Sequence, residues 1–158
     1  MQDIIKRLRA KKDDEGFTLI ELLVVVVIIG VLVAIAVPVY LNYREGAADK
    51  SAQSDVRGAI SAIEQFYTDN NNAYPTGPSG TKQTASFALT TTVAGSTATG
   101  KVTLSAKTEL YYVAPAAGTT TYKICAKNTG GSGAFYLYDS SAGGSVSKTT
   151  IASPTTCS

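Results

Sequence analysis

The sequence predicts an α+β protein in which one long N-terminal helix projects with its apolar half and packs its amphipathic half on an antiparallel β-sheet head. Three observations carry this. Residues 22–41 form a run of twenty without a charge, in which only Gly30 and Pro38 fall outside the apolar and aromatic set. Next, Ala52, Val56, Ala59, Ile63 and Phe66 recur at intervals of 4, 3, 4 and 3, the stripe of a helix with one buried face. From Pro75 onward Thr, Ser, Gly and Ala dominate, and short β-prone runs alternate with turn residues.

Composition bounds the chemistry. A chain of 158 residues holds one domain of ordinary size or one domain plus a terminal segment, and 44% hydrophobic against 16% charged residues is a composition that folds. The formal charge of +2 creates no field that selects a polyanion. With no histidine and two cysteines, Ser-His-Asp and Cys-His catalysis, histidine-bound metals and four-cysteine zinc sites are all excluded. The expectation is a non-enzyme without cofactor or metal.

As a helix, the run 22–41 measures roughly 30 Å, the thickness of a bilayer hydrocarbon core. Lys6, Arg7, Arg9, Lys11 and Lys12 precede it and the first charge after it is Arg44, so the N-terminus faces the cytoplasm and the remainder lies outside. A secretory signal peptide is a competing reading, with Ala34-Ile35-Ala36 as its cleavage site, and would give a secreted binding module. Against it stand Asp13, Asp14 and Glu15 ahead of the run, and Glu21 immediately before it.

The octapeptide Gly16-Phe17-Thr18-Leu19-Ile20-Glu21-Leu22-Leu23 resembles the processing motif of type IV pilins and pseudopilins. The resemblance covers Gly16 to about Pro75. It implies that residues 1–16 are a cytoplasmic leader, that a membrane-embedded prepilin peptidase and N-methyltransferase cuts between Gly16 and Phe17, and that Phe17 becomes N-methylated. It further implies that residues 17–43 serve as transmembrane segment and then filament core, and that Glu21 meets the terminal amine of a neighbouring subunit during assembly. Gly30 and Pro38 match a glycine and a proline between which pilin helices loosen in filaments.

Physical chemistry supports each assignment. Glycine lets an extended backbone pass closely through a peptidase cleft. Cleavage would leave a cation at a helix N-terminus, which the macrodipole opposes, and a carboxylate one turn away, about 6 Å along the axis, relieves it. A carboxylate within a membrane costs at least ~2.5 kcal/mol away from the helix ends, so such a residue is a functional candidate. Between Gly30 and Pro38 the helix is rich in β-branched residues and lacks the amide that would bond Ala34, making this its weakest stretch.

Residues 44–74 read as the amphipathic helix, its stripe widened by Ile60 and Tyr67, with Asp49, Gln53, Arg57, Glu64 and Gln65 mostly on the other sides. Asp69 to Asn72 and then Tyr74-Pro75 stop it. A continuous helix to this point would be roughly 80 Å long, too long for a domain of this size. Residues 75–158 form the head, with strands expected at 86–93, 102–106, 109–114, 121–127, 134–138 and 146–151. Residues 118–120 and 128–133 read as hairpin connections, and Tyr122, Ile124 and Ala126 should face the helix.

Cys125 and Cys157, placed outside the membrane, should pair, as in the disulfide-bounded terminal region of many pilins; the bond would contribute roughly 3.5–4 kcal/mol in the chain-entropy model. The head holds six basic and two acidic groups, but its lysines are dispersed, so DNA or surface binding is not indicated. Tyrosines 111, 112, 136 and 138 read as sheet packing, and Asp139-Ser140-Ser141 as a turn rather than part of a calcium site. The functional expectation is a major type IV pilin: a homopolymer that meets minor pilins and the pilus assembly machinery, first in the inner membrane and then in an extracellular filament. A type II secretion pseudopilin or a DNA-uptake pilin is the nearer alternative.

Overall fold

The computed structural model describes residues 17–92 and 99–158. The expected leader, residues 1–16, lies outside the described residues, as does the last residue of the strand expected at 86–93. Helix α1 spans Leu19–Asp69 without interruption, with Gly30 and Pro38 inside it. At its end Asn71 and Asn72 adopt φ of 53° and 60°, a left-handed conformation that asparagine tolerates. The backbone amides of Asn70 and Asn72 both donate to the Tyr67 carbonyl, satisfying the terminal turn. The chain divides into two compact units, with the boundary between Tyr40 and Leu41.

In the first unit, every described residue is exposed. In the second, the stripe predicted from spacing forms the core: Ala52, Val56 and Ala59 are fully buried, and Ile63 and Phe66 nearly so. Against it lies a five-stranded antiparallel sheet in the order β1-β4-β5-β6-β7: β1 Lys82–Gln83, β4 Thr108–Val113, β5 Lys123–Asn128, β6 Phe135–Asp139 and β7 Ser147–Thr149. Its inward side chains include Leu110, Tyr112, Ile124, Ala126 and Tyr136, joined by Tyr122 just before β5. Each large apolar side chain removed from water contributes about 1.5–3 kcal/mol.

Three details differ from the sequence reading. The expected strands at 86–93 and 102–106 are shorter or shifted; they form a separate two-stranded sheet, β2 Phe87–Leu89 paired with β3 Gly100–Val102, which sends Leu89 and Val102 into the same core. Strand β1 has two polar residues and was invisible to any alternation rule; it exists because Lys82 and Gln83 pair with Tyr111 and Leu110 on β4. The sheet's second face is also buried. Tyr111, Cys125 and Phe135 pack there with Ile151 and Cys157 from the C-terminal tail, so the head has three layers: helix, sheet and tail.

Candidate processing and assembly site

Gly16, the residue before the expected cut, lies outside the described residues. From Phe17 onward the local structure is a capping box. The Thr18 amide and hydroxyl donate to Glu21 Oε2 at 2.8 and 2.6 Å, and the Glu21 amide donates back to Thr18 Oγ1 at 3.3 Å. Thr-x-x-Glu is the sequence pattern of this cap, which satisfies amides that the first helical turn leaves free. Sequence reasoning assigned Glu21 to a neighbour's amine; the structure adds an internal partner, and a carboxylate oxygen has lone pairs for both.

The surroundings of this carboxylate are apolar. Phe17 is 83% exposed, and Phe17, Ile20, Val24 and Val25 line a shallow concavity beside Glu21. Exposure continues through every residue to Ala47. An apolar surface of this extent, far larger than a soluble monomer ordinarily presents, requires lipid or protein to cover it. By length and hydropathy α1 qualifies to cross a membrane near its N-terminus. Gly30 and Pro38 are both helical here, and a Cβ at Gly30 would meet open space, so packing among the described residues does not explain the glycine.

The amphipathic half of α1 holds the head through three carboxylates. Asp49, which spacing had placed on an outer side of the helix, is buried, its Oδ1 accepting the Ser132 amide at 2.9 Å and its Oδ2 the Ser132 hydroxyl and Lys148 Nζ at 2.6 and 3.2 Å. Burial pushes its carboxyl up, but the hydrogen bonds from Ser132 and Lys148 together hold it below the ordinary carboxylate value. Gly131 permits this closeness, since a Cβ there would collide with Asp49 Oδ1. Asp55 accepts the Ser105 amide and hydroxyl at 3.0 and 2.8 Å. Glu64 accepts the buried Tyr122 hydroxyl at 2.5 Å, and burial, followed by this bond, raises the phenol's pKa.

No periodicity rule finds such carboxylates, because their partners, amides, hydroxyls and one ammonium, are distant in sequence. Among the described residues no buried side-chain nitrogen or oxygen lacks a hydrogen-bond partner.

The disulfide joins Cys125 on β5 to Cys157 across 32 residues, fastening the tail over the outer sheet face. Asp139 takes the Ser141 amide and hydroxyl at 2.9 and 2.6 Å, the geometry of a turn, and Lys123 at 3.0 Å. Hydrogen bonding from Ser141, foremost, and from Lys123 holds the Asp139 carboxyl below its ordinary value. Lys82, Lys123, Lys127 and Lys148 each pair with a carboxylate, which disperses the head's cationic excess.

Residues 11–37 match the family described as the prokaryotic N-terminal methylation motif. The chain is 41% identical over 69 residues to the type II secretion system core protein G of Escherichia coli, covering 44% of this chain and 47% of that one. It is 41% identical over 59 residues to the fimbrial protein EcpC of Eikenella corrodens, covering 37% and 39% of the two chains. With the type IV major pilin protein PilE1 of Neisseria gonorrhoeae it shares 36% identity over 72 residues, covering 46% and 34%. Against the first of these relatives, the matched segment spans about half the length of each protein. No solved structure matches the chain. The chain thus carries the prokaryotic N-terminal methylation motif, resembles type IV pilins and type II secretion pseudopilins over its N-terminal segment, and joins one long apolar helix to an antiparallel sheet in a pilin-like α+β architecture.

Proposed function

We propose that the chain is a prepilin: residues 1–16 are removed between Gly16 and Phe17, Phe17 is N-methylated, and residues 17–158 polymerise as a structural subunit of an extracellular filament. The observation that carries this reading is the unbroken exposure of an apolar helix from Phe17 onward, with one carboxylate at its start. Before assembly lipid covers the helix; in the filament, copies of the same helix replace lipid. Glu21 then pairs with the methylated amine of a neighbour, an ion pair strengthened by its apolar surroundings. The stretch between Gly30 and Pro38 loosens on packing, where neighbouring subunits supply partners for freed backbone groups.

Among filament systems, the reading favoured is a major type IV pilin, supported by the disulfide that ties the C-terminal tail onto the head. A type II secretion pseudopilin is the second reading, favoured by the similarity to core protein G of several bacteria. Both classes of relative match over a minority of this chain, so the shared segment does not separate them. The partners are further copies of the chain, the prepilin peptidase and N-methyltransferase, minor pilins and the assembly machinery.

Mass spectrometry of the mature protein should find a methylated Phe17 as its first residue; a terminus at Val37 would establish a signal peptide instead. Glu21→Ala should insert and fold normally yet give few filaments, and abundant normal filaments would remove the pairing role. Shearing wild-type cells separates the two systems. Long surface filaments built mainly of this chain identify the major pilin, and confinement to a short envelope-bound assembly identifies the pseudopilin.

A further inference from the structure

The head contains a chain of touching phenol rings. Tyr67 on α1 and Tyr74 beyond its end have ring centroids 4.3 Å apart at an interplanar angle of 30°. Tyr74 continues to Tyr122 at 5.1 Å, and Tyr122 to Tyr138 and Tyr112 at 5.7 and 6.1 Å. Tyr112 and Tyr122 are fully buried, whereas Tyr67 and Tyr74 are half-buried and reach solvent. The outer pair is also held in place. The Asn72 amide donates to the Tyr67 carbonyl at 3.0 Å, and the Asn70 side chain donates to the Ala73 carbonyl at 3.1 Å, closing the turn that brings the two rings together.

We propose that Tyr67 and Tyr74 form an oxidative modification site, at which a one-electron oxidant of the haem peroxidase and hydrogen peroxide class makes an intrachain dityrosine cross-link. Each phenol gives one electron and one proton, yielding two tyrosyl radicals. A carbon ortho to one phenol oxygen bonds to the corresponding carbon of the other ring, and the hydrogens on those carbons move to the two oxygens, restoring the phenols. The two hydrogen atoms lost reduce one hydrogen peroxide to two waters. Pre-contact of the rings makes coupling unimolecular, which is worth many orders of magnitude over diffusion of separate radicals. The product staples the last turn of α1 to the segment that enters the sheet.

Full-length protein in detergent, treated with a haem peroxidase and hydrogen peroxide and then digested with trypsin, tests this. Both tyrosines fall in one tryptic peptide, residues 58–82, which should become lighter by two hydrogen atoms and acquire dityrosine fluorescence. Tyr67→Phe and Tyr74→Phe should each abolish that change, whereas Tyr43→Phe should leave its yield within twofold of wild type. Coupling confined to Tyr40 and Tyr43, a cross-link between two copies of peptide 58–82, or the same mass loss in Tyr67→Phe would each overturn the proposal.

Discussion

One helix contains two opposite solutions to burial. Along its first half, valines such as Val25 and Val26 stand 47% and 60% exposed, while in its second half Asp49 and Asp55 are buried at 7% and 8% exposure. Each departs from the rule that apolar groups go inside and charges outside, and each departure has a cause. Among the described residues the valines stand open, with no enclosing side chains around them. The buried aspartates have specific partners in Ser132, Lys148 and Ser105, whose hydrogen bonds offset the loss of hydration. The contrast separates a surface made for other molecules from one completed by the chain itself.

The contrast is tested most strongly by truncating one apolar side chain in each half. Phe66→Ala should destabilise the head by about 3–5 kcal/mol in denaturant unfolding, because a fully enclosed ring leaves a cavity. Val25→Ala, on the exposed half, should leave that transition where it is. Equal losses from both would remove the contrast between the exposed and the buried half of the helix.

Next in size is the tail. Cys157→Ser should cost about 3.5 kcal/mol by the chain-entropy argument and should hasten proteolysis after residue 149, while α1 keeps its helicity by circular dichroism. The tail does carry Ile151 against Tyr111 and Phe135, so unchanged protease resistance would show that this packing suffices without the bond.

Smaller effects sharpen the buried-carboxylate half of the comparison. Asp49→Ala leaves the Ser132 donors unpaired and should cost about 1–3 kcal/mol, whereas Lys148→Met, which removes a half-exposed partner, should cost at most about 1 kcal/mol. Because the Asp49 carboxyl is held below its ordinary value when folded, its contribution is complete above about pH 4 and fades as pH falls through the folded value. Acid titration of wild type against Asp49→Asn should therefore show the two unfolding curves converging at low pH. Parallel curves would assign the stabilisation to packing.

Much of this was legible along the chain because it depends on neighbours in sequence. A run of twenty uncharged, mostly apolar residues states its own need for cover, and Thr18-x-x-Glu21 writes its own cap. The 4-3-4-3 spacing of Ala52 to Phe66 marks one helical face whatever packs on it, and the alternation of Tyr122, Ile124 and Ala126 fixes which strand face turns inward. Tertiary structure alone decided the rest. The pairing of the two-residue strand β1, the split into two sheets, the burial of Asp49 against a loop 83 residues away and the tail's cover over the outer face depend on groups far apart in sequence. A carboxylate's burial is favourable only when amides, hydroxyls or ammonium groups converge on it, and that convergence is a property of the folded backbone.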